Sequence, residues 1–398
     1  MDSGGGRRRT VTFVEFSPSG GLFQFSAQLA GGVAAGGDAV DFITGPDPEL
    51  GPTHPGVRMR PVLPTWHPAD EKPIGRLAKK ARRVLRAGQR ALAWLVVLAL
   101  LRRSRPDVVV WSTWRFSMDA LGAVAARRLL PRSTIVLVAH EPVPRVRADT
   151  TKERHGRVLD PALERAWHSV DAVFVLGEEA RAKVHERWQV ACPVVVIPHG
   201  DEAALRGDAP VPPCARTGPV VLFFGAWTAY KGIDLLFDAV PAVRHKVPDA
   251  RIVVAGSVLG VDEAALTARA RALGVHARPG YVATADVPRL FGEARVVVTP
   301  YRRATQSGVV HLAYTFARPV VATAVGDIPA AVRDGETGLL VPPDDPDALA
   351  AALVDLLTDA DRAQSMGDAG AAWLEAEASW TAVARRVRET VDRVRGAR

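Results

Sequence analysis

The chain has 398 residues, of which 48% are hydrophobic, so it is long enough for two domains with a core each. Its net charge of +8 arises from one segment, because outside residues 72–106 the acids outnumber the bases by three. This excludes a broad basic surface and argues against general nucleic-acid binding. The two cysteines, Cys192 and Cys214, show neither a disulfide framework nor metal-ligand spacing, so we expect a reducing compartment.

The chain opens with residues 1–9, which we expect to form a flexible tail. No apolar stretch with a small-residue cleavage site precedes the first strand, so this opening is not read as a signal peptide. A first domain is expected over residues 10–207. Its predicted strands are short and rich in Val, as in parallel sheets covered on both faces, and lie at 10–16, 39–44, 107–112, 134–140, 172–177 and 194–200.

Two features of this first half stand where a ligand is expected, beyond the carboxyl ends of parallel strands. The loop Ser17–Gly21 follows the first strand and includes Gly20 and Gly21, but it lacks the dinucleotide fingerprint Gly-x-Gly-x-x-Gly. It is equally consistent with a tight βα turn. His140 ends the fourth predicted strand, and a single His in that place is structural more often than catalytic.

Residues 72–105 form a basic amphipathic segment. Eleven Lys and Arg residues and no acid lie between Lys72 and Pro106, and the apolar run 91–101 follows the basic face. Eleven residues span about 16 Å as a helix, short of the roughly 30 Å of a bilayer core, so this run is not expected to cross a membrane. The segment predicts either an interfacial helix on anionic lipid or a helix packed on the sheet with a solvated basic face.

The second half repeats the alternation of strands and helices, which predicts a second doubly wound α/β domain over residues 208–379. The join is expected near residues 207–219, which are rich in Pro and Gly and lack periodicity. A last helix is expected over residues 380–398. The predicted strands of this domain lie at 219–225, 250–256, 294–300, 319–326 and 338–342.

A first motif in this half places a cation at the end of a strand. The predicted strand runs into Gly225, where the backbone must turn tightly, and Lys231 stands just before the next helix. Lys231 brings a compact positive charge, which suits a diphosphate leaving group that gains negative charge as its bond breaks. A single Lys-Gly pair also fits an ordinary solvated helix start.

A second motif follows Pro300. The loop closes on Gln306, Ser307 and Gly308, after which Val309 begins a helical run. Ser before a helix is an N-cap signal, and the first helical amides point outward and favour an anion such as phosphate. An ordinary βα turn would show the same features.

Taken in register, the two motifs resemble the donor-binding segments of the family 4 retaining glycosyltransferases. That resemblance extends from the first strand to the last helix. It implies the GT-B fold, an α/β architecture of two doubly wound Rossmann-like domains facing across a cleft. It also implies that residues 380–398 form a helix that crosses back to the first domain.

The donor-site residues of the family carry over only in part. Gln306 and Tyr314 stand where the family has two Glu residues, one linked to the transferred sugar and one to the nucleotide ribose. The sequence around Gln306, ATQSGV, resembles that of one branch of the family. Ala226 replaces the Arg of the family's Gly-Arg motif, so Arg302 or Arg303 is expected to supply the missing diphosphate cation.

The remaining matches assign further roles by resemblance. Tyr281 and Val282 match a turn that lies against the nucleotide base. Gly20 and Gly21 match a loop against the donor phosphate and acceptor, and His140 matches a His close to the reacting sugar. The donor-binding set implied is Gly20, Gly21, Gly225, Lys231, Tyr281, Val282, Arg302, Arg303, Gln306, Ser307, Gly308, Val309 and Tyr314, with His140 and Lys231 as catalytic residues.

The resemblance implies a metal-independent, retaining transfer from a nucleoside-diphosphate sugar, with no other cofactor. The departing diphosphate would take the proton of the acceptor hydroxyl on the same sugar face. The basic segment 72–105 indicates a lipid-linked glycan or surface polysaccharide precursor as acceptor. We therefore expect a cytoplasmic protein, peripheral on the inner face of the membrane.

Two alternatives stay open. The missing acids also suit a non-catalytic GT-B protein that binds nucleotide or glycan as the partner of an active glycosyltransferase. Intact Lys231 and His140 speak against it. A nucleotide-sugar epimerase on the same fold is the second alternative, but it would need acids in the cleft that the sequence does not show.

Overall fold

The computed structural model describes residues 8–66, 76–112, 114, 117–140, 142, 160–208, 210–304 and 306–397. Residues 1–7 of the expected tail and residues 72–75 of the basic segment lie outside these ranges. The chain divides into two compact units. His199–Ser379 belong to the second unit, and the described residues before them belong to the first together with the segment from Trp380.

The first unit is built on a seven-stranded sheet in which every pairing is parallel. Its strands are β1 (Thr10–Val14), β2 (Ala39–Thr44), β3 (Val57–Pro61), β4 (Val108–Trp111), β5 (Thr134–Ala139), β6 (Ala172–Val175) and β7 (Val194–Val196). Their order across the sheet is β3-β2-β1-β4-β5-β6-β7. The order turns outward in both directions from β1 and β4, as in a doubly wound fold.

The second unit is built on a six-stranded sheet, again parallel throughout. Its strands are β8 (Val220–Phe224), β9 (Arg251–Gly256), β10 (His276–Pro279), β11 (Val296–Thr299), β12 (Val320–Thr323) and β13 (Gly338–Val341). Their order is β10-β9-β8-β11-β12-β13, so β8 and β11 are neighbours at the centre. The loops that follow these two strands therefore leave the sheet side by side.

Helices cover both sheets and account for the burial of the central strands. Every residue of β4, β5, β6, β11 and β12 is buried, which confirms the prediction of Val-rich strands in covered parallel sheets. The helices are α1 (Gly21–Ala35), α2 (Arg76–Ser104), α3 (Ser117–Leu129), α4 (Asp160–Trp167), α5 (Glu178–Trp188), α6 (Ala203–Arg206), α7 (Ile233–Lys246), α8 (Glu263–Ala272), α9 (Val287–Glu293), α10 (Gly308–Thr315), α11 (Ile328–Ala331), α12 (Pro346–Thr358), α13 (Ala360–Ala378) and α14 (Trp380–Gly396).

The predicted basic amphipathic segment forms one long helix, α2, of 29 residues. Among the described residues, its part Ala81–Ser104 is the one helix long and apolar enough to span a membrane by length and composition. The apolar part of this helix is therefore longer than the eleven residues on which the sequence argument rested. What holds α2 to the protein is its inner face, where Ala93, Trp94, Val97 and Leu101 are at most 3% exposed in the core of the first unit.

The last helix, α14, packs on α1 in the first unit. The carboxylate of Asp38, whose side chain is 4% exposed, accepts bonds from Nε of Arg388 at 3.1 Å and Nε of Arg9 at 3.0 Å. A side chain at position 32 would press on α14, since a Cβ added to Gly32 would lie 3.0 Å from Cβ of Ala384. These contacts fix α14 along α1.

Residues 199–207, expected at the end of the first domain, pack within the second unit. The amide of Glu202 donates to Oγ1 of Thr315 at 3.0 Å, and Leu205 of the short helix α6 is buried. Nη1 of Arg206 also bonds the Thr315 carbonyl at 3.3 Å. The boundary between the two units therefore lies before the Pro-rich stretch, because contacts with Thr315 attach α6 to the end of α10.

Candidate active site

The second unit brings the two predicted donor motifs together at the carboxyl ends of β8 and β11. Gly225 directly follows β8, and Lys231 lies in a short 3-10 turn before α7. Residues 300–307 connect β11 to α10. Because β8 and β11 are hydrogen-bonded neighbours, the loops that follow them lie against each other.

Two glycines permit this close approach. Gly225 has a φ of 110°, and a Cβ there would lie 2.9 Å from Nζ of Lys231. Gly232 has a φ of 64°, and a Cβ there would overlap the carbonyl oxygen of Pro300. Both positions have a positive φ that favours glycine, and at Gly232 the backbone contact also leaves no room for a side chain.

Lys231 contacts a residue to which the sequence assigned no role, Tyr301. Nζ of Lys231 lies 5.1 Å from the centre of the Tyr301 ring. Burial by itself lowers the pKa of Lys231, but Tyr301 and Tyr230 outweigh it and the pKa is raised above its ordinary value. Lys231 is therefore a cation at neutral pH.

The start of α10 adjoins this cation. Ser307 is the N-cap residue with an extended backbone, and its Oγ lies 3.5 Å from Oη of Tyr301. Gly308 and Val309 begin the helix, where backbone amides have no carbonyl one turn earlier to bond. A Cβ on Gly308 would lie 2.9 Å from Nε2 of His199, so the glycine leaves space for that ring.

Gln306 precedes the N-cap of α10 and carries a buried polar atom. Within the part of the chain that the structure describes, its Oε1 has no hydrogen-bond partner. Such atoms are rare in folded proteins and need an explanation. A ligand hydroxyl that donates to Oε1 would satisfy it, which suits the predicted contact between Gln306 and a sugar.

The structure does not place Arg302 as a diphosphate cation. Its guanidinium bonds both oxygens of Asp234, at 2.7 and 2.8 Å, and Oδ1 of Asp344 at 2.6 Å. The hydrogen bond to Asp234 is the main cause that raises the pKa of Arg302. Two carboxylates therefore balance its charge. Arg303 lies with its guanidinium 5.4 Å from the centre of the Tyr230 ring.

Tyr314 is also placed differently from its expected role at the ribose. It is fully buried, and its hydroxyl shares a 2.8 Å hydrogen bond with Thr337 and donates to the Ala331 carbonyl at 3.3 Å. Burial raises the pKa of the phenol. Its ring packs so closely on α13 that a Cβ on Gly370 would overlap it. Tyr314 is thus a core residue, and its expected contact with the ribose is wrong in this geometry.

In the first unit, the predicted residues follow β1 and β5, which are separated in the sheet by β4. His140 follows β5, is 9% exposed, and packs edge-on against Phe25 of α1 with ring centres 4.6 Å apart. Gly20 is the N-cap residue of α1, with a φ of 85°, and Gly21 is its first residue. The Gly20 amide donates to Oε2 of Glu49 at 2.8 Å, so a carboxylate of the chain already occupies the amide predicted to bind donor phosphate.

Tyr281 and Val282 follow the edge strand β10 after one residue, Gly280. Tyr281 is 49% exposed and Val282 is half-buried. They lie at the same end of the sheet as Gly225, because all its strands are parallel. A stacking surface for a base is consistent with this place.

Sequence reasoning missed a pair of buried histidines under α10. The rings of His199 and His311 are 5.2 Å apart, and Nδ1 of His311 lies 3.3 Å from the Ser307 carbonyl. Burial lowers the pKa of His199 to about 4 and, together with the charge of His199, lowers that of His311 to about 3. Both are neutral at pH 7. The one sequence signal for the burial of His311 is that α10, GVVHLAYT, is apolar on both sides of this residue.

Family models match most of the chain. One described as Glycosyltransferase Family 4 covers residues 19–202, and one described as Glycosyl transferases group 1 covers residues 218–359. A curated relative from Mycolicibacterium smegmatis, a GDP-mannose-dependent alpha-(1-6)-phosphatidylinositol monomannoside mannosyltransferase, is 30% identical over 61% of this chain and 67% of its own length. Its counterpart from Mycobacterium tuberculosis is 27% identical over 82% and 87%.

Solved structures agree on the fold. Sucrose-phosphate synthase from Thermosynechococcus elongatus has a TM-score of 0.69 at 20% identity, covering 98% of this chain and 100% of that one. WaaG, a glycosyltransferase involved in lipopolysaccharide biosynthesis, has a TM-score of 0.63 at 17% identity, covering 96% and 99%. These likenesses confirm the predicted fold class, GT-B with two Rossmann-like domains.

Proposed function

Because this chain belongs to glycosyltransferase family 4, we propose that it moves a sugar from a nucleoside-diphosphate sugar to a hydroxyl of a lipid-linked acceptor. The transfer retains the anomeric configuration and uses no metal ion. The observation that carries the proposal is the Lys231 ammonium: a Cβ on Gly225 would lie 2.9 Å from its Nζ and 3.8 Å from Cγ2 of Val309 in the first turn of α10. Each of these groups favours a diphosphate.

The chemistry follows from charge. In the transfer, the bond between the sugar C1 and the diphosphate oxygen breaks, and a bond from C1 to the acceptor oxygen forms. The acceptor proton passes to the departing diphosphate. Negative charge therefore grows on the diphosphate, where a preorganised cation and helix amides stabilise it most. Lys231 and the amides at Gly308 and Val309 are suited to this task.

Gln306 is proposed to orient the transferred sugar. Its Oε1 is buried next to the N-cap of α10 and accepts no bond from another described residue. A neutral amide both accepts from and donates to hydroxyls, so it can replace a carboxylate in binding a sugar without adding negative charge. His140 remains a proposed contact to the reacting sugar from the first unit.

The lipid-linked acceptor is supported by the relatives and by α2. The two mycobacterial relatives are named for action on a phosphatidylinositol mannoside. On the outer face of α2, Val84, Leu85, Leu92 and Leu95 are between 51% and 70% exposed, beside exposed arginines such as Arg83. An apolar stripe flanked by cations favours an anionic bilayer surface, and a protein held there reaches lipid acceptors. A cytoplasmic, peripheral location follows.

The test is turnover with defined substrates. GDP-mannose and UDP-glucose are offered as donors, with vesicles containing phosphatidylinositol or its mannosides as acceptors. We expect acceptor-dependent release of nucleoside diphosphate, unchanged by EDTA, and NMR of the product should show the donor's anomeric configuration. Inversion of configuration or loss of activity in EDTA would contradict the mechanism proposed.

A non-catalytic nucleotide- or glycan-binding partner of an active enzyme is the alternative. The buried Tyr314 and the neutralised Arg302 favour it, because neither offers the donor the group expected from the family. The same assay separates the two functions. Diphosphate binding with no turnover on any donor and acceptor pair would support the non-catalytic protein.

A further inference from the structure

Tyr301 stands at the centre of the site without a role assigned by any motif. It follows Pro300 at the end of β11 and is 2% exposed. We infer that Tyr301 is a positioning residue, whose phenol holds the Lys231 ammonium between Gly225 and the start of α10. The inference rests on the proposed function, since the held ammonium is the proposed diphosphate cation.

Side-chain contacts connect three parts of the site through this phenol. On one side, Nζ of Lys231 lies 5.1 Å from the centre of the Tyr301 ring. On the other side, Oη lies 3.5 Å from Oγ of Ser307, the N-cap of α10. One buried side chain thus meets the cation at its ring and, at its hydroxyl, the residue that opens the anion-binding turn.

The backbone explains why Tyr301 cannot easily move away. Its carbonyl oxygen accepts a hydrogen bond from Oγ1 of Thr323 at the end of β12. The next amide, that of Arg302, donates to the Tyr230 carbonyl at 2.8 Å. This bond ties the loop after β11 directly to the turn that carries Lys231.

Arg302 strengthens the same attachment and thereby gains a role different from the predicted one. Its guanidinium bonds the Ala229 carbonyl at 3.2 Å as well as the carboxylate of Asp234 in the first turn of α7. Arg303 adds its contact with the Tyr230 ring. The loop after β11 and the turn before α7 are therefore held together by these contacts, which place Tyr301 opposite Lys231.

The consequence for Lys231 is electrostatic as well as geometric. A partly buried ammonium loses hydration and tends to give up its proton. Here the phenols of Tyr301 and Tyr230 reverse that tendency and raise the pKa of Lys231. A fixed ammonium that stays protonated needs no reorganisation when charge develops on the leaving group.

Tyr301→Phe tests the inference, because it removes the hydroxyl and keeps the ring. Calorimetry measures the binding of GDP and UDP to the variant and to wild type. We expect the variant to bind the preferred diphosphate about tenfold more weakly, as for loss of a hydrogen bond to a charged group. In a Lys231→Ala background the same change should have no further effect on affinity. This non-additivity separates positioning of Lys231 from a direct contact with nucleotide.

A second measurement needs no nucleotide. The lysines are labelled by reductive ¹³C-methylation, and the Lys231 signal is identified by its loss in Lys231→Arg. We expect the signal to titrate at lower pH in Tyr301→Phe than in wild type. Tyr314→Phe is the matched control, since it also removes a buried phenol hydroxyl of the second unit, but one that is hydrogen-bonded to Thr337. It should lower stability and leave the titration unchanged.

The possible outcomes separate a failure of the inference about Tyr301 from a failure of the proposed function. If Tyr301→Phe folds, binds diphosphate like wild type and leaves the Lys231 titration unchanged, the inference is overturned and the proposed function stands. If wild type binds none of GDP, UDP, ADP and dTDP, the proposed function fails. The titration then still decides whether Tyr301 holds the ammonium.

Discussion

Lys231 is the residue on which the proposed chemistry depends. Its ammonium lies at the carboxyl end of β8, beside a glycine whose missing side chain leaves room for it. Sequence reasoning located this cation because the strand, the glycine and the lysine are close along the chain. It could not locate Tyr301 as its partner, because that contact joins residues 70 positions apart.

Replacing Lys231 by Ala removes one preorganised donor from the leaving diphosphate. We expect kcat/KM to fall about 10²- to 10³-fold with little change in stability. The measurement is steady-state turnover with the donor and acceptor that the wild type uses. Lys246→Ala at the exposed end of α7 is the control and should retain activity. Equal activity of the two variants would remove Lys231 from the mechanism.

Arg302 shows where prediction from sequence fails at this scale. From its place in the motif, Arg302 was predicted to be a cation available to the diphosphate. Its partners Asp234 and Asp344 lie 68 and 42 residues away along the chain, and only the fold brings them to it. Tyr314 fails for a similar reason, since nothing local indicates that α13 covers it. Local spacing identifies residues at strand ends, whereas the balance of charge and burial depends on tertiary contacts.

The buried pair His199 and His311 predicts a pH dependence of stability. Folding lowers their pKa values from 6.5 to about 4 and about 3, so the unfolded state binds more protons at acidic pH. Stability is therefore full above pH 6.5 and falls as the pH drops towards 4, by at most roughly 1.4 kcal/mol per pH unit for each group.

Urea unfolding at pH 7.5 and pH 5.5 measures this effect. His311→Gln should show a smaller loss of stability between the two pH values than wild type. His245→Gln, on the exposed end of α7, should behave like wild type. An identical loss in all three proteins would mean that other groups set the acid sensitivity.

At the scale of elements, the central strands and the edge strands β7 and β13 were predicted from the sequence, whereas the other two edge strands were not. The Val-rich strands β4, β6 and β11 are buried along their whole length, so their apolar pattern is unbroken. The strands β3 and β10 at the sheet edges were missed. Their sequences, VRMRP and HARP, are basic and partly exposed, because an edge strand has one neighbour and keeps charged side chains in water.

The attachment of α14 to the first unit makes a prediction of its own. Asp38 is buried between Arg9 and Arg388, so Asp38→Ala leaves two guanidinium groups facing each other. We expect a loss of roughly 1–3 kcal/mol in the free energy of unfolding, less than for a fully buried pair because both arginines are partly exposed. Thermal unfolding measures it. Asp392→Ala, with a 63% exposed carboxylate on Arg9, should cost far less.

The helix α2 is the element that links the fold to the proposed acceptor. Leu92→Glu with Leu95→Glu places two acids on its exposed face and does not touch the buried face at Ala93 and Trp94. Flotation with vesicles rich in anionic lipid should show strong binding by wild type and loss of binding by the variant, at unchanged thermal stability. Equal flotation would show that this face is not the membrane contact.

At the scale of the whole molecule, the distribution of charge and the membership of the glycosyltransferase family both support a transfer to a lipid-linked acceptor. The positive excess is confined to residues 72–106, so the rest of the chain behaves as a mildly acidic protein. The second unit carries the proposed diphosphate site, and the first carries α2 and His140. Donor binding and lipid contact are therefore assigned to different units, and each can be removed without the other.

The most direct test of the central claim is calorimetric titration of wild type and Lys231→Ala with UDP, GDP, ADP and dTDP. The account predicts that one diphosphate binds wild type and that the variant binds it at least about tenfold more weakly, as expected for loss of a charge-assisted contact. Absence of binding by wild type, or equal binding by both proteins, would contradict the placement of the donor diphosphate at Lys231.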